Sequence, residues 1–169
     1  MWFPKRVARY LVLVILLGGA GCGFQLLGSE TGRFESLNIV GAGAAPLTSR
    51  SLRQALEDRG IQIVPAGLGV ISIHMLDERY YRRSFASTDV YSTAEYELRL
   101  ELDVSISSGE NFLLEDATLL SQRIYAVDLS NLSASEEEQK LLLIEMRVSL
   151  AEQLLRRVNL LVRPASLVR

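Results

Sequence analysis

Three arginines stand close together at Arg79, Arg82 and Arg83, with Tyr80 and Tyr81 between them. A guanidinium grips carboxylate or phosphate oxygens through parallel N–H bonds. A tyrosine ring adds amphipathic contact area beside it. The cluster therefore has the chemistry to dock a phosphorylated lipid or a charged protein surface. A solvated hairpin end is the blander reading of the same residues, and both stay open. The residues on either side place the cluster between two strands.

The other reactive groups are few. His74 is the only imidazole. It falls on the polar face of a strand with no serine and carboxylate at triad spacing, so it reads as a structural or surface histidine. Glu136, Glu137 and Glu138 are consecutive, and consecutive helix positions point ~100° apart. They cannot converge on one ion without help from a loop, and they read as a solvated helix start. Glu95 and Glu97 share one strand face and read as surface charges. Gly41 and Gly43 in the GAGAAP stretch lack the third glycine of a dinucleotide fingerprint, so that stretch reads as a turn. No catalytic residue, metal-ligand set or cofactor is expected.

Cys22 is the single cysteine, which rules out a disulfide within the chain and a Cys/His zinc cluster. Its surroundings give it a different chemistry. Lys5, Arg6 and Arg9 precede an apolar run from Tyr10 to Ala20, too short to span a bilayer, and small residues follow. Gly19-Ala20-Gly21-Cys22 is similar to a bacterial lipobox, although Gly19 stands where Leu is usual. An uncleaved anchor and an ordinary signal with a chance cysteine are the alternatives. On the lipobox reading, residues 1–21 are a lipoprotein signal peptide and the Cys22 thiol carries acyl chains. Two or more such chains hold a protein stably on a membrane, because each buried methylene contributes ~0.8 kcal/mol. Gly23 follows where an Asp often retains lipoproteins in the inner membrane. That pattern resembles the outer-membrane default, with the protein lipid-anchored on the periplasmic face.

The whole chain has 169 residues, of which 49% are hydrophobic, 22% charged and 7% aromatic. That is the composition and size of one globular domain. The net charge of -2 does not suggest a nucleic-acid binder. Losing residues 1–21 removes three cations and no carboxylate, so the remainder is more acidic still. Past that point Lys140 is the sole lysine, and every other cation is an arginine.

The elements that must position these groups follow from hydrophobic period. Residues 22–32 read as a lipidated tether, 33–163 as one domain and 164–169 as a tail. Arg33 to Val40 reads as a strand. Ser49 to Arg59 reads as a helix, with Thr48 or Ser49 as cap, Leu52, Ala55 and Leu56 on one face, and Gly60 at the C-terminal stop. Val70 to Met75 reads as a strand with Ile71, Ile73 and Met75 on one side. Glu95 to Ile106 is the clearest segment, because Tyr96, Leu98, Leu100, Leu102, Val104 and Ile106 alternate with polar residues. A turn cluster at Ser107 to Asn111 predicts an antiparallel return along Phe112 to Val127. A long helix from Ala134 to Val162 closes the chain. Its expected cap is Ser135 with Glu138, and its expected buried stripe is Leu141, Ile144, Val148, Ala151, Leu155, Val158 and Val162. The order β-α-β-β-β-α predicts an α+β two-layer sandwich, with two helices on one face of a small, about four-stranded sheet.

Three segments carry a family resemblance. They are C-G-F-Q-L-L-G at 22–28, A-E-Y-E-L at 94–98, and S-A-S-E-E-E-Q at 133–139 leading into E-M at 145–146 and A-E-Q-L-L-R-R at 151–157. In order and spacing they resemble the LptE family, lipoproteins of the outer-membrane lipopolysaccharide translocon. The resemblance implies two helices on a small sheet. It also implies a non-enzymatic plug inside the LptD β-barrel that assists the barrel's assembly and binds lipopolysaccharide. The family often carries basic residues just before the Ala-Glu-Tyr strand and near the start of the last helix. Here those places hold Ser92 with Thr93, and Ser135. Arg79, Arg82, Arg83 and Arg123 are the candidates to take over. The rival reading is an unrelated periplasmic envelope-binding lipoprotein or an enzyme. It would need a concave pocket with convergent polar groups near His74.

Overall fold

The computed structural model describes residues 34–87, 93–128 and 130–162. The expected signal peptide, tether and tail lie outside the described residues, and so does Cys22. The elements are β1 (Ser36–Val40), α1 (Pro46–Glu57), β2 (Gln62–Ile63), β3 (Ile71–Ser87), β4 (Thr93–Ser108), β5 (Asn111–Asp128) and α2 (Leu132–Leu161). They form the expected α+β sandwich, with one strand more than the alternation revealed. β2 pairs through two residues only, so it leaves no periodic signal. The sheet is five-stranded in the order β2-β1-β3-β4-β5. β1 runs parallel to β2 and β3, while β3, β4 and β5 are long antiparallel neighbours. No described helix is long and apolar enough to cross a membrane.

β4 is the axis of the core. Leu98, Leu100, Leu102, Val104 and Ile106 are all fully buried on the side the helices cover. Leu37, Ile73 and Met75 extend that face across β1 and β3, and Leu52 and Leu56 of α1 lie on it. Removing such side chains from water contributes at most ~1.5–3 kcal/mol each.

Both helices begin earlier than expected. α1 opens at Pro46, whose ring fixes a helical φ where no intrahelical N–H is needed. Its cap is Ala45, without a side-chain bond, and Thr48 and Ser49 are buried inside the first turns. α2 is capped by Asn131, whose side chain accepts from the Ala134 N–H at 3.3 Å. Ser135 is not the cap, because its hydroxyl is already the acceptor for the Asp128 N–H at 3.0 Å. The buried stripe of α2 also differs. Met146, Leu150, Ala151, Leu154, Leu155 and Val158 face the core. Leu141, Ile144 and Val148 are 55%, 57% and 46% exposed. Arg59 ties the two helices together, reaching both oxygens of Glu152 at 2.8 and 2.7 Å.

β3 does not stop at Met75. It continues to Ser87, paired with β4 throughout. The register shifts between Met75 and Asp77 and again between Ser84 and Ala86, which inserts Leu76 and Phe85 as bulge residues. The first bulge reverses the alternation. Ile71, Ile73 and Met75 face the helices, and so, beyond the bulge, do Glu78, Tyr80, Arg82 and Ser84. Asp77, Arg79, Tyr81 and Arg83 are left on the opposite, open face.

Candidate functional site

Because β3 continues past Met75, its alternation distributes the arginine cluster over two faces instead of leaving it at a hairpin end, and the bulge at Leu76 turns Arg82 to the helices and Arg79 and Arg83 to the open face. On the open face Arg79 is the hub. It donates to Asp77 at 2.9 Å, to both Asp103 oxygens, and to Glu101 at 3.2 and 3.3 Å. Thr118 donates to Asp103 at 2.6 Å, and Arg99 donates to Glu101 at 2.7 Å. Arg83 meets Glu97 at 2.7 Å, and Gln122 donates to the same carboxylate at 3.0 Å. The polar row of β4 is therefore internally compensated. Sequence spacing marked Glu97 as a surface charge and passed over Arg99, Asp103, Thr118 and Gln122. These residues become neighbours only through the register of three strands.

The hub leaves a titration signature. The Arg79 guanidinium, and then the Thr118 hydroxyl, hold the Asp103 carboxyl below the usual carboxylate range. The three carboxylates around Arg79, Asp103 foremost, push its own value further up. A lowered carboxylate value adds stability that is present above about pH 4 and lost as pH falls through the lowered value. Thermal midpoints measured stepwise from pH 7 to pH 2 should fall in that acid window. Asp103→Asn should be less stable at pH 7 and show a shallower acid slope. An identical slope in both proteins would remove Asp103 as a source of the acid sensitivity.

On the helix face the polar groups form a second layer. The Arg82 guanidinium lies 3.8 Å from the Tyr96 ring centroid and 5.9 Å from that of Tyr125. The Tyr125 hydroxyl donates to Gln139 of α2 at 2.5 Å, and Gln139 in turn donates to the Tyr80 hydroxyl at 3.2 Å. Burial pushes both tyrosine hydroxyls up from their ordinary value. Arg147 donates to Glu78 Oε1 at 3.2 Å, which leaves Glu78 Oε2 buried without a donor. Arg82 and Arg123 both stand opposite Leu98, one on each side. Arg123 donates to the Gln122 carbonyl at 2.7 Å. Neither meets a carboxylate among the described residues. Of the four candidate arginines, Arg79 and Arg83 are thus engaged by acids, and Arg82 and Arg123 are not.

A shallow cavity of about 550 Å³ borders this end of the sheet, lined by Tyr80, Tyr81, Arg82, Arg83, Glu97, Arg99 and Glu101. His74 lies apart from it, with Nε2 3.0 Å from the Ser107 hydroxyl and its ring tilted against Phe112. Glu136, Glu137 and Glu138 are exposed on α2, where Lys140 reaches Glu137 at 3.2 Å. Among the described residues no group of His, Cys, Asp and Glu is arranged to hold a metal ion. Ser135, at one of the places where the resemblance implies a basic residue, is buried and engaged with Asp128. Thr93 opens β4 opposite Asp128, and Ser92 lies outside the described residues.

Residues 34–158 match the family model described as "LptE: Lipopolysaccharide-assembly". The chain belongs to the LptE family. Its role is in lipopolysaccharide assembly. Three solved structures share the LptE-like fold. Rare lipoprotein B from Shewanella oneidensis has 21% identity and a TM-score of 0.64, over 72% of this chain and 92% of that one. A minor lipoprotein from Acinetobacter baumannii has 20% identity and a TM-score of 0.61, over 75% and 92%. Lipoprotein B from Nitrosomonas europaea has 20% identity and a TM-score of 0.60, over 81% and 90%. No curated protein matches the chain.

Proposed function

We propose that this LptE-family chain is a non-enzymatic lipoprotein of the outer membrane, anchored by acyl chains on Cys22 at the periplasmic face. Its domain enters the lumen of an LptD-type β-barrel as plug and assembly factor, and there it binds lipopolysaccharide. The family match supports the process. The observation that carries the plug reading is the second face of the sheet. No described helix covers it, and its charges are already compensated around Arg79, Glu97 and Glu101. The interior of a large barrel is polar and wet. A face of interlocked charges suits that wall, because it needs no apolar cover and leaves few bare ions to desolvate.

The test is gentle detergent extraction of the native protein, followed by co-purification and intact mass. Wild-type protein should carry acyl mass on Cys22 and bring an outer-membrane barrel with it. Cys22→Ser should appear in the soluble fraction at its full precursor mass or without acyl groups. Recovery of an unacylated free monomer from wild-type cells would overturn the reading.

A further inference from the structure

One end of the sheet gathers exposed apolar side chains that the core does not use. β3 opens at Ile71, opposite Leu37 of β1 and Ser108 of β4, so the loop before β3 and the turn from β4 to β5 lie at the same end. Leu68 is fully exposed in that loop, between Gly67 and Gly69. Phe112, opposite Ser107, is 56% exposed just past the turn, and Leu113 follows it in a bulge. Ile63 pairs with Leu37 at the same level and is also exposed. α2 arrives there too. Its Glu152 meets Arg59 just past the end of α1, and Leu160, about two turns further on, is 61% exposed. A single exposed leucine means little, but several large apolar side chains at one end mark a contact surface. The opposite end turns on polar groups. There Asp128 accepts from the Ser130 N–H and hydroxyl, and Asn131 caps α2.

The sequence supplies the occupant. The chain enters the domain at the apolar end, at Phe34, whose side chain is buried in the core. Cys22, the expected acylation site, is only twelve residues earlier. Such a stretch reaches at most ~40 Å when fully extended. β5, with its 18 residues, runs ~60 Å from that end to the other. We propose that this end is a membrane contact: Leu68, Phe112 and Leu113, with Ile63 and Leu160 beside them, sink into the surface of the bilayer that the Cys22 acyl chains enter. Phe and Leu side chains at such an interface bury ~5–10 Å deep, where headgroups meet acyl chains. Charge does not drive the contact, because Glu110 in the turn and Arg156 and Arg157 near the end of α2 are all exposed and opposite in sign. The strands then stand upright on the leaflet, with the Arg82 and Arg123 end facing away from it. The contact belongs to the anchored chain before any barrel is engaged, and it presents that far end to an arriving partner.

This contact rests on the acyl-anchor reading and not on the barrel or lipopolysaccharide readings. It is tested on the purified native protein in phosphatidylcholine vesicles whose acyl chains carry bromine, a short-range quencher of tryptophan. Trp2 is the only tryptophan and leaves with the expected signal peptide, so a substituted one reports alone. Phe112→Trp and Leu68→Trp should each lose roughly half of their emission or more, and added salt should not restore it. Leu132→Trp, at the start of α2, should keep its emission. Adding Leu68→Ser to the Phe112→Trp protein should weaken its quenching, because the two side chains enter the bilayer together. Intact mass reads the anchor separately. Acyl mass with an unquenched Phe112→Trp would overturn the contact and leave the anchor standing. Equal quenching of Leu132→Trp would also overturn it, since neither end would then be preferred. A chain without acyl mass would refute the anchor reading, and the same quenching would then decide the contact by itself.

Discussion

Replacing Gly41 with alanine is expected to lower stability by roughly 2–4 kcal/mol, the largest single-residue loss in the domain outside the core. Two separate costs meet at this position. Gly41 has φ +72, a left-handed conformation that an L side chain enters at ~1–2 kcal/mol. A Cβ there would also lie 2.3 Å from the Met75 carbonyl oxygen. That carbonyl belongs to the backbone at the end of the β1–β3 pairing, so it cannot move aside as a flexible side chain would. Two sister substitutions separate the costs. Gly60 has φ +70 with open space around it, so Gly60→Ala should lose only the conformational part. Gly43 has neither a positive φ nor a neighbour within 4 Å, so Gly43→Ala should be near neutral. Thermal melts of the three variants should rank Gly41 far below Gly60, and Gly60 below Gly43. The Gly41 variant should melt roughly 10 °C below wild type. A Gly41→Ala protein no less stable than Gly60→Ala would show that the Met75 contact does not matter.

The same corner explains where the sequence could be read and where it could not. β4 was legible because its inward positions are Leu98, Leu100, Leu102, Val104 and Ile106 without interruption, and all are buried. β3 was cut short because the alternation reverses at Leu76. Beyond that bulge the inward positions are Glu78, Tyr80 and Arg82, which face Arg147 and Gln139 of α2 and not an apolar layer. A polar residue at an inward position looks the same in sequence as a loop. β5 was placed by the turn cluster before it, and Asn111–Asp128 matches the expected antiparallel return along Phe112 to Val127, although register shifts against Val104 and Ile106 and a positive φ at Asp116 weaken its alternation. α2 failed differently. Leu141, Leu142, Leu143 and Ile144 are apolar in succession, so periodicity offered more than one stripe. The sheet takes the stripe that runs through Met146, Leu150 and Leu154 and leaves Leu141, Ile144 and Val148 outside. The arginine cluster was legible as residue types. Its division between two faces was not, because the segment did not read as a strand, and which set faces the helices depends on one inserted residue.

That division makes the second large prediction specific. If the phosphates of lipopolysaccharide are held by arginines in this chain, Arg82 and Arg123 are the pair with donors to spare. Arg82 is stacked on Tyr96, a contact worth only ~0.5–1 kcal/mol at an exposed site. Arg123 holds one neighbouring carbonyl. The double variant Arg82→Glu with Arg123→Glu should therefore fold with nearly wild-type stability. Its affinity for purified lipopolysaccharide should drop by roughly tenfold per arginine, since hydrogen bonds to charged groups contribute ~1.5–3 kcal/mol each. Its remaining binding should also respond less to salt. Arg79→Gln should do the reverse. Asp77, Glu101 and Asp103 would be left facing one another without their cation, so stability should fall. Binding per folded molecule should hold, because Arg79 had no donor to give. Arg83 shows why exposure alone is a poor guide. Its side chain is 73% exposed, yet its guanidinium is already on Glu97. Binding titrations read alongside melting curves distinguish the two roles. Unchanged binding in the double variant, or equal loss in Arg79→Gln after correction for folded protein, would refute the assignment and return the lipid contact to residues outside this pair.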